Sequence, residues 1–274
     1  MKPSFALPLL AFALSAGAHA QDAHHDSADT VAAQNAALAK NTEGKGYGPQ
    51  SPRDLNAKGG SNRRVFNAAP AASKMNLCNI HIHKNAEHKG GEFTLPSDAG
   101  FKYAGKLTPA EAKPLDAEVC PSEHGGLQVG DTIELHYVHS TAQVTPGPTL
   151  NACLSEADSN PQLRVEAQVL VLVNDAKAAD FAELTKTGEV NGYQQAEHIP
   201  KHTGRPIQYA GSTTGPSYNE KGSPLQVTWS VRPKVLKVNA ESVGAWCKAN
   251  VFKEDHAHGV RNLVTDDKLL SPMK

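Results

Sequence analysis

The sequence predicts one mainly β domain, and three observations carry that reading. Runs of apolar and β-branched residues alternating with polar ones recur from residue 75 onward. Helical patterns are sparse, and no repeat with a period of about 20–50 residues runs through the chain. Of the 274 residues, roughly 254 follow an N-terminal export signal, enough for one domain with a large core.

Residues 1–20 have the makeup of that signal. Lys2 supplies the positive start, Phe5 to Ala16 the apolar run, and Ala18-His19-Ala20 a small-x-small cleavage site before Gln21. The run is too short to span a bilayer, and no later segment approaches the roughly 18 uninterrupted apolar residues that a spanning helix needs. The expectation is an exported protein, periplasmic or secreted, with no membrane span. Residues 21–72 are polar, alanine-rich and broken by Gly and Pro, as in Gly44-Lys45-Gly46-Tyr47-Gly48-Pro49. With little to bury, they read as a flexible or surface-wrapping arm in which His24 and His25 are solvated. The folded domain is expected over 73–274.

Within that domain, residues 76–84 and 131–140 read as strands carrying most of the histidines. Arg164 to Asn174 is the strongest strand, nearly all apolar in its second half as a buried central strand is. Leu225 to Val231 and Lys234 to Val238 add further strands. Helices are expected only at Asp175 to Thr185 and at Ala240 to Asn250, where Glu241 falls in the first turn.

Acidic and basic residues nearly cancel, 28 against 27, so nothing points to a nucleic-acid or anionic-membrane partner. Four cysteines in an exported chain, Cys78, Cys120, Cys153 and Cys247, favour two disulfides, with three connectivities open. The turn-rich flanks of the 131–140 strand favour Cys120–Cys153, leaving Cys78–Cys247. A Cys-x-x-His-x-His zinc cluster is the competing use of Cys78. It is disfavoured because regular alternation puts residue 78 on the strand face opposite His81.

The chemistry concentrates in Cys78-Asn79-Ile80-His81-Ile82-His83 and Asp131-Thr132-Ile133-Glu134-Leu135-His136-Tyr137-Val138-His139. Residues i and i+2 of a strand share a face, so His81 and His83 project together and a neighbouring strand brings His136 beside them. Three neutral imidazoles with a fourth position open are how a catalytic zinc is held, and such an ion makes hydroxide available near pH 7. Asn79 and Glu134, each two residues before a histidine, share its face and are placed to fix its tautomer. Glu87, four residues after His83, has three readings: a fourth ligand, a general base, or an acceptor for a hydroxyl near the metal. His139 is out of phase with His136 and is read as a core residue. His256 and His258 are read as C-terminal surface. Tyr209-Ala210-Gly211-Ser212-Thr213-Thr214-Gly215-Pro216 reads as a turn-forming, hydroxyl-rich loop. Beside a metal, a threonine hydroxyl that donates to an acid must accept from the oxygen bound there, which is a positioning effect.

Taken in order, His-Ile-His, Glu-His, Glu-Leu-His-Tyr-Val-His, Tyr-Ala-Gly-Ser-Thr-Thr and Val-Thr-Trp resemble the landmarks of α-class carbonic anhydrases. The run Cys-Asn-Ile-His-Ile-His-Lys-Asn-Ala-Glu-His-Lys-Gly resembles the δ class more particularly. The resemblance spans residues 75–250. It implies an α-carbonic-anhydrase-like domain, a large twisted and mostly antiparallel β-sheet with a few short helices. It also implies reversible hydration of CO2 to bicarbonate by a zinc hydroxide on His81, His83 and His136, with Co2+ or another divalent ion as a substitute. On the same terms Asn79 and Glu134 orient two of the ligands, and Glu87 pairs with a threonine. Val138 and Trp229 wall an apolar CO2 pocket. Two departures stand out. Glu87 follows His83 sooner than the α-class acid does. The threonine loop also lacks an apolar residue after Ser212, which leaves Thr213 and Thr214 interchangeable. His88 and His124 are the candidates for carrying the released proton.

Two rival readings remain on sequence. His81-x-His83-x3-Glu87 fits the core of a cupin metal-oxygenase motif, with Glu87 on the metal. Met75 and Thr94 replace its flanking glycines, however, and the third histidine lacks a Pro-x-Gly lead. A periplasmic zinc-binding relative without turnover is the non-enzymatic alternative. The oligomeric state is left open.

Overall fold

The computed structural model describes residues 54–57, 61, 67–123, 125–158, 160–214 and 222–260, and for 212–214 and 222–225 the backbone alone. The export signal, most of the arm, His24, His25 and His124 lie outside the described residues. The described pieces of the arm lie against the domain: Leu55 is buried, and the Ala69 N–H donates to Thr228 Oγ1 at 2.7 Å.

The strands are β1 (Asn76–Lys84), β2 (Phe93–Pro96), β3 (Phe101–Tyr103), β4 (Thr132–Ser140), β5 (Leu163–Val173), β6 (Thr187–Val190), β7 (Tyr193–Ala196), β8 (Ile207–Thr214) and β9 (Gly222–Asn239). Five of them form the main sheet in the order β1-β4-β5-β9-β8, and β2-β3 and β6-β7 are separate two-stranded ribbons. Only the β5–β9 pair is parallel; the other three are antiparallel. The mainly β, mostly antiparallel expectation holds. Among the described residues no helix is long and apolar enough to cross a membrane.

Strand alternation divides the sheet into two buried faces. Leu77, Ile80 and Ile82 of β1, Ile133, Leu135 and Tyr137 of β4, and Leu170 and Leu172 of β5 enter one apolar layer. That layer is closed by helix α1 (Phe181–Leu184) and helix α2 (Ala240–Lys248), which contribute Phe181, Leu184, Val243 and Trp246. Fully burying each such side chain contributes about 1.5–3 kcal/mol. The opposite face buries Val138, Val165, Ala167, Val169, Tyr209, Val227, Trp229 and Val231, and the polar residues of the site stand on it.

Four local expectations change. The helix expected from Asp175 starts only at Phe181, where the Asp180 carboxylate accepts from the N–H groups of Ala182 and Glu183. The backbone before it is committed elsewhere, since Ala179 N–H bonds the Lys237 carbonyl and Asn239 N–H bonds Ala179. The two strands expected around residues 225–238 are one, β9. Arg232-Pro233 falls where the register to β5 slips between Gln168 and Leu170 and where pairing to β8 has ended at Val231. A proline without an N–H is tolerated at such an irregular point. The expected loop at 209–216 is strand as far as Thr214, because Tyr209, Ala210 and Gly211 pair with Trp229, Thr228 and Val227; cross-strand pairing overrides local turn preference.

The disulfide pairing is the fourth correction: Cys78 joins Cys153 and Cys120 joins Cys247, not Cys120–Cys153 and Cys78–Cys247. Cys120 and Cys247 belong to the helix-covered layer, whereas Cys78 and Cys153 belong to the other. The turn-rich flanks of β4 do not show which face each cysteine joins, and a bulge hides the face of Cys78. Leu77 pairs with His139 and Asn79 with Val138, leaving Cys78 as the extra residue. The bulge puts Cys78 on the same face as Asn79 and His81, so regular alternation fails at that position. The bridges close loops of 75 and 127 residues, each worth about 4–5 kcal/mol in the chain-entropy account.

Candidate metal centre

β1 and β4 pair with His81 directly opposite His136 and His83 opposite Glu134. The alternation that buries Ile80, Ile82, Leu135 and Tyr137 on the helical side therefore stacks Asn79, His81, His83, Glu134 and His136 on the other. The imidazoles of His81, His83 and His136 converge, with ring centroids 4.8–5.1 Å apart. One ligand-type nitrogen from each lies within 4.8 Å of the others.

The remaining nitrogen of every ring is tied to an acceptor. His81 Nδ1 lies 2.6 Å from Asn79 Oδ1, His83 Nδ1 2.9 Å from the Gly259 carbonyl, and His136 Nε2 3.1 Å from Glu134 Oε1. The Asn79 amide has its own orientation check, because its Nδ2 donates to the Gly147 carbonyl at 3.1 Å. These acceptors assign the protons to the outer nitrogens. His81 and His83 then present bare Nε2 atoms inward, and His136 presents bare Nδ1. His136 Nδ1 and His81 Nε2 stand 3.2 Å apart, so in these tautomers two lone pairs face one another across a gap that a cation would bridge. Zn–N bonds of about 2.0–2.1 Å at a tetrahedral angle separate ligand nitrogens by ~3.3 Å, so the donor set fits such an ion. Burial, with His136 acting the same way and Glu87 opposing, lowers the His83 pKa to about 4, which keeps that ring neutral and ready to bind metal at neutral pH.

Glu134 is the hub behind this triad. Its Oε2 accepts the backbone N–H groups of Glu87 (2.6 Å) and His88 (3.1 Å), and its Oε1 accepts His88 Nδ1 (2.5 Å) as well as His136. Burial alone would raise this carboxyl, but its electrostatic interaction with His88 and the hydrogen bonds from His136 and His88 hold it well below the usual carboxylate range. His88, with Nδ1 donated, accepts from the Tyr209 hydroxyl at Nε2. A buried chain thus runs from Tyr209 through His88 and Glu134 to His136.

The structure places the residues singled out on sequence as follows. His88, a proton-carrier candidate on sequence, is fully buried between Glu134 and Tyr209 rather than exposed. Glu87 is buried and electrostatically coupled to His83; the convergent donor sets among the described residues, His81/His83/His136 and His88/Glu134/His136, do not include it. It sits in the turn after β1, which Asn85 opens in the left-handed region at φ 68°, a conformation asparagine tolerates; this turn is what brings it close to His83 so soon in sequence. Val138 and Trp229 share one apolar cluster, and the Trp229 ring lies 5.2 Å from that of His136. Thr213 and Thr214 lie on β8, but their side chains are outside the described residues. His139 is buried in the sheet, as its phase implied. His258, read as C-terminal surface, has a partly exposed side chain but lies beside the site. Its backbone runs beside β1, and its ring stands 5.8 and 5.9 Å from those of His81 and His83, hydrogen-bonded to Glu254 at 2.6 Å. His88 and Tyr209 were in view within quoted motifs; the Gly259 carbonyl had no side-chain signature.

Fold and donor set define a mainly β protein with a candidate three-histidine metal site on the sheet face opposite the helices. Residues 72–242 match the family described as Delta carbonic anhydrase, and the chain belongs to that family. The family excludes the cupin reading and makes the protein a carbonic anhydrase, with CO2 and bicarbonate as its substrate pair. No curated protein matches the chain. Similar solved structures include an alpha-carbonic anhydrase from Thermovibrio ammonificans in complex with sulfanilamide, at 15% identity over 83% of this chain and 88% of that one, TM-score 0.31. A hyperthermostable carbonic anhydrase from a hydrothermal vent chimney gives 15%, 83%, 88% and 0.28. The alpha-carbonic anhydrase of Photobacterium profundum gives 15%, 88%, 96% and 0.27.

Proposed function

We propose that the chain hydrates CO2 reversibly to bicarbonate and a proton, using Zn2+ held by His81, His83 and His136. The observation that carries this reading is the inward set of bare ring nitrogens, with two of them 3.2 Å apart and every outer nitrogen held by an acceptor. When bound, the ion lowers the pKa of a coordinated water to about 7 and so supplies a nucleophile at neutral pH.

The chain's residues do the rest. Asn79, the Gly259 carbonyl and Glu134 hold the three rings in the tautomer and orientation that binding needs. Val138 and Trp229 offer a dry apolar wall beside His136, suited to a small apolar gas and hostile to bulk water. The family pattern pairs Glu87 with a threonine at 213 or 214, whose hydroxyl, donating to that acid, would be left to accept from an incoming O–H and fix its direction. Two disulfides support an oxidising, exported site of action.

The test is metal content per chain together with CO2 hydration followed by stopped flow with a pH indicator. About one zinc per chain is expected, as the three-ligand site requires, with turnover inhibited by an aromatic sulfonamide. His136→Ala should lose both metal and turnover, while Glu87→Gln should keep the metal and slow turnover. Stoichiometric zinc with no hydration would leave a metal-binding relative, and loss of metal in Glu87→Gln would contradict the assigned ligand set.

A further inference from the structure

The bulge in β1 puts Cys78 and Asn79 side by side on the metal face, and both are held by one loop, residues 141–153. Cys78 is bonded to Cys153 at the loop's far end. The Cys78 carbonyl accepts the Gly147 N–H at 3.0 Å, and the Gly147 carbonyl in turn accepts Asn79 Nδ2 at 3.1 Å. The loop's end is also pinned to β4, where Ser140 Oγ donates to the Cys153 carbonyl at 2.7 Å. Between these ties Thr149 holds φ 58°, a conformation that persists only when its surroundings impose it.

The Asn79 amide is therefore fixed at both ends, Nδ2 on Gly147 and Oδ1 on His81 Nδ1. Freed from Gly147, the amide can flip. It would then offer N–H to His81 Nδ1, drive the ring proton to Nε2 and remove the lone pair that faces the metal.

We infer that the Cys78–Cys153 disulfide is a positioning device for His81: it clamps the 141–153 loop on β1, Gly147 fixes the Asn79 amide, and the amide selects the His81 nitrogen that binds metal. This rests on the metal-centre reading above. The second disulfide is an internal control, because Cys120–Cys247 lies in the helix-covered layer on the other side of the sheet.

The experiment compares Zn2+ and Co2+ dissociation constants, and the Co2+ absorption spectrum, in the purified protein and five variants. These are Cys78→Ser/Cys153→Ser, Cys120→Ser/Cys247→Ser, Asn79→Ala, the first serine pair combined with Asn79→Ala, and Gly147→Pro. The Cys78/Cys153 pair should lose about tenfold or more in affinity, in the range seen for outer partners of metal ligands, with an altered cobalt spectrum. The Cys120/Cys247 pair should unfold at lower temperature yet bind metal as the parent does. In the Asn79→Ala background, removing Cys78–Cys153 should cost no further affinity, because both changes act through one contact. Equal affinity losses in the two serine pairs, or an undiminished loss in the Asn79→Ala background, overturn the inference. If the Cys78/Cys153 pair does not fold, Gly147→Pro decides. It deletes the N–H to Cys78 with both disulfides intact, and unchanged affinity there overturns the inference too. A parent protein that binds neither ion would instead refute the metal-centre reading.

Discussion

The two faces of the central sheet use alternate residues of the same strands and are held by different means. On the helical side, Ile80, Ile82, Ile133, Leu135 and Tyr137 bury apolar surface against α1 and α2, and their contribution scales with area. On the metal side, Asn79 holds His81, and Glu134 holds His136 and His88, through hydrogen bonds that set each ring's orientation. Losing area on the first face weakens the fold in proportion. Losing one partner on the second leaves a buried donor or acceptor unpaired and misdirects a ligand. Stability and metal affinity should therefore respond to substitutions on opposite faces.

The largest effect tests that separation directly. Leu135→Ala removes a fully buried side chain one residue from Glu134 and His136 and should cost about 2–5 kcal/mol of unfolding free energy, read from urea unfolding of the metal-free protein. Metal affinity measured in water, where the variant remains folded, should match the parent. A drop in affinity on the scale of the His136→Ala loss would show that the faces are not independent.

His139 blurs the division, since it is the polar member of the apolar-phase residues. Its Nε2 has no hydrogen-bond partner. Burial lowers its pKa to about 4, with the Arg164 charge acting the same way. The unfolded imidazole takes its proton near 6.5, so between roughly pH 4 and 6.5 the unfolded state binds more protons, and stability falls as pH drops through that window, by about 3 kcal/mol in all. His139→Leu should remove that share of the acid sensitivity in the metal-free protein, while His83, shifted in the same direction, keeps part of the slope. An unchanged slope would mean that His139 is not the neutral, buried group that its environment implies.

How much of this was readable in the sequence follows from the range of each interaction. Period-two alternation is local, so the shared face of His81 and His83, and that of Glu134 and His136, could be read directly; only the antiparallel pairing that sets His81 against His136 needed the structure. The disulfides were misread because turn-rich flanks say nothing about which sheet face a cysteine joins, and the extra residue at Cys78 hides its face from regular alternation. Tyr209 to Thr214 looked like a turn by composition, but the β9 ladder decides it. The Gly259 carbonyl reaches His83 across 176 residues, and a backbone acceptor carries no residue type to recognise. Local periodicity survives translation into structure; bulges, ladders and backbone partners do not announce themselves.

The smallest predicted effect is the sharpest test of the hydrogen bonds on the metal side. Glu134 accepts four donors on two oxygens: His136 Nε2 and His88 Nδ1 on one, the N–H groups of Glu87 and His88 on the other. Glu134→Gln keeps the shape but replaces one oxygen with an NH2 that can only donate. If the amide oxygen faces the rings, the Glu87 and His88 N–H groups lose their acceptor. If it faces those N–H groups, His136 Nε2 must become an acceptor, and its proton moves to Nδ1, the nitrogen that would bind metal. Either orientation penalises the bound state, so affinity should fall about 10–100-fold, close to 1.4–2.7 kcal/mol, by competition with a chromogenic chelator. That loss is comparable to the lower end expected for Leu135→Ala, but it appears in a different measurement. Glu134→Gln binding metal as tightly as the parent would mean that the His136 tautomer is not set by Glu134, and the contrast between the two faces would lose its chemical basis.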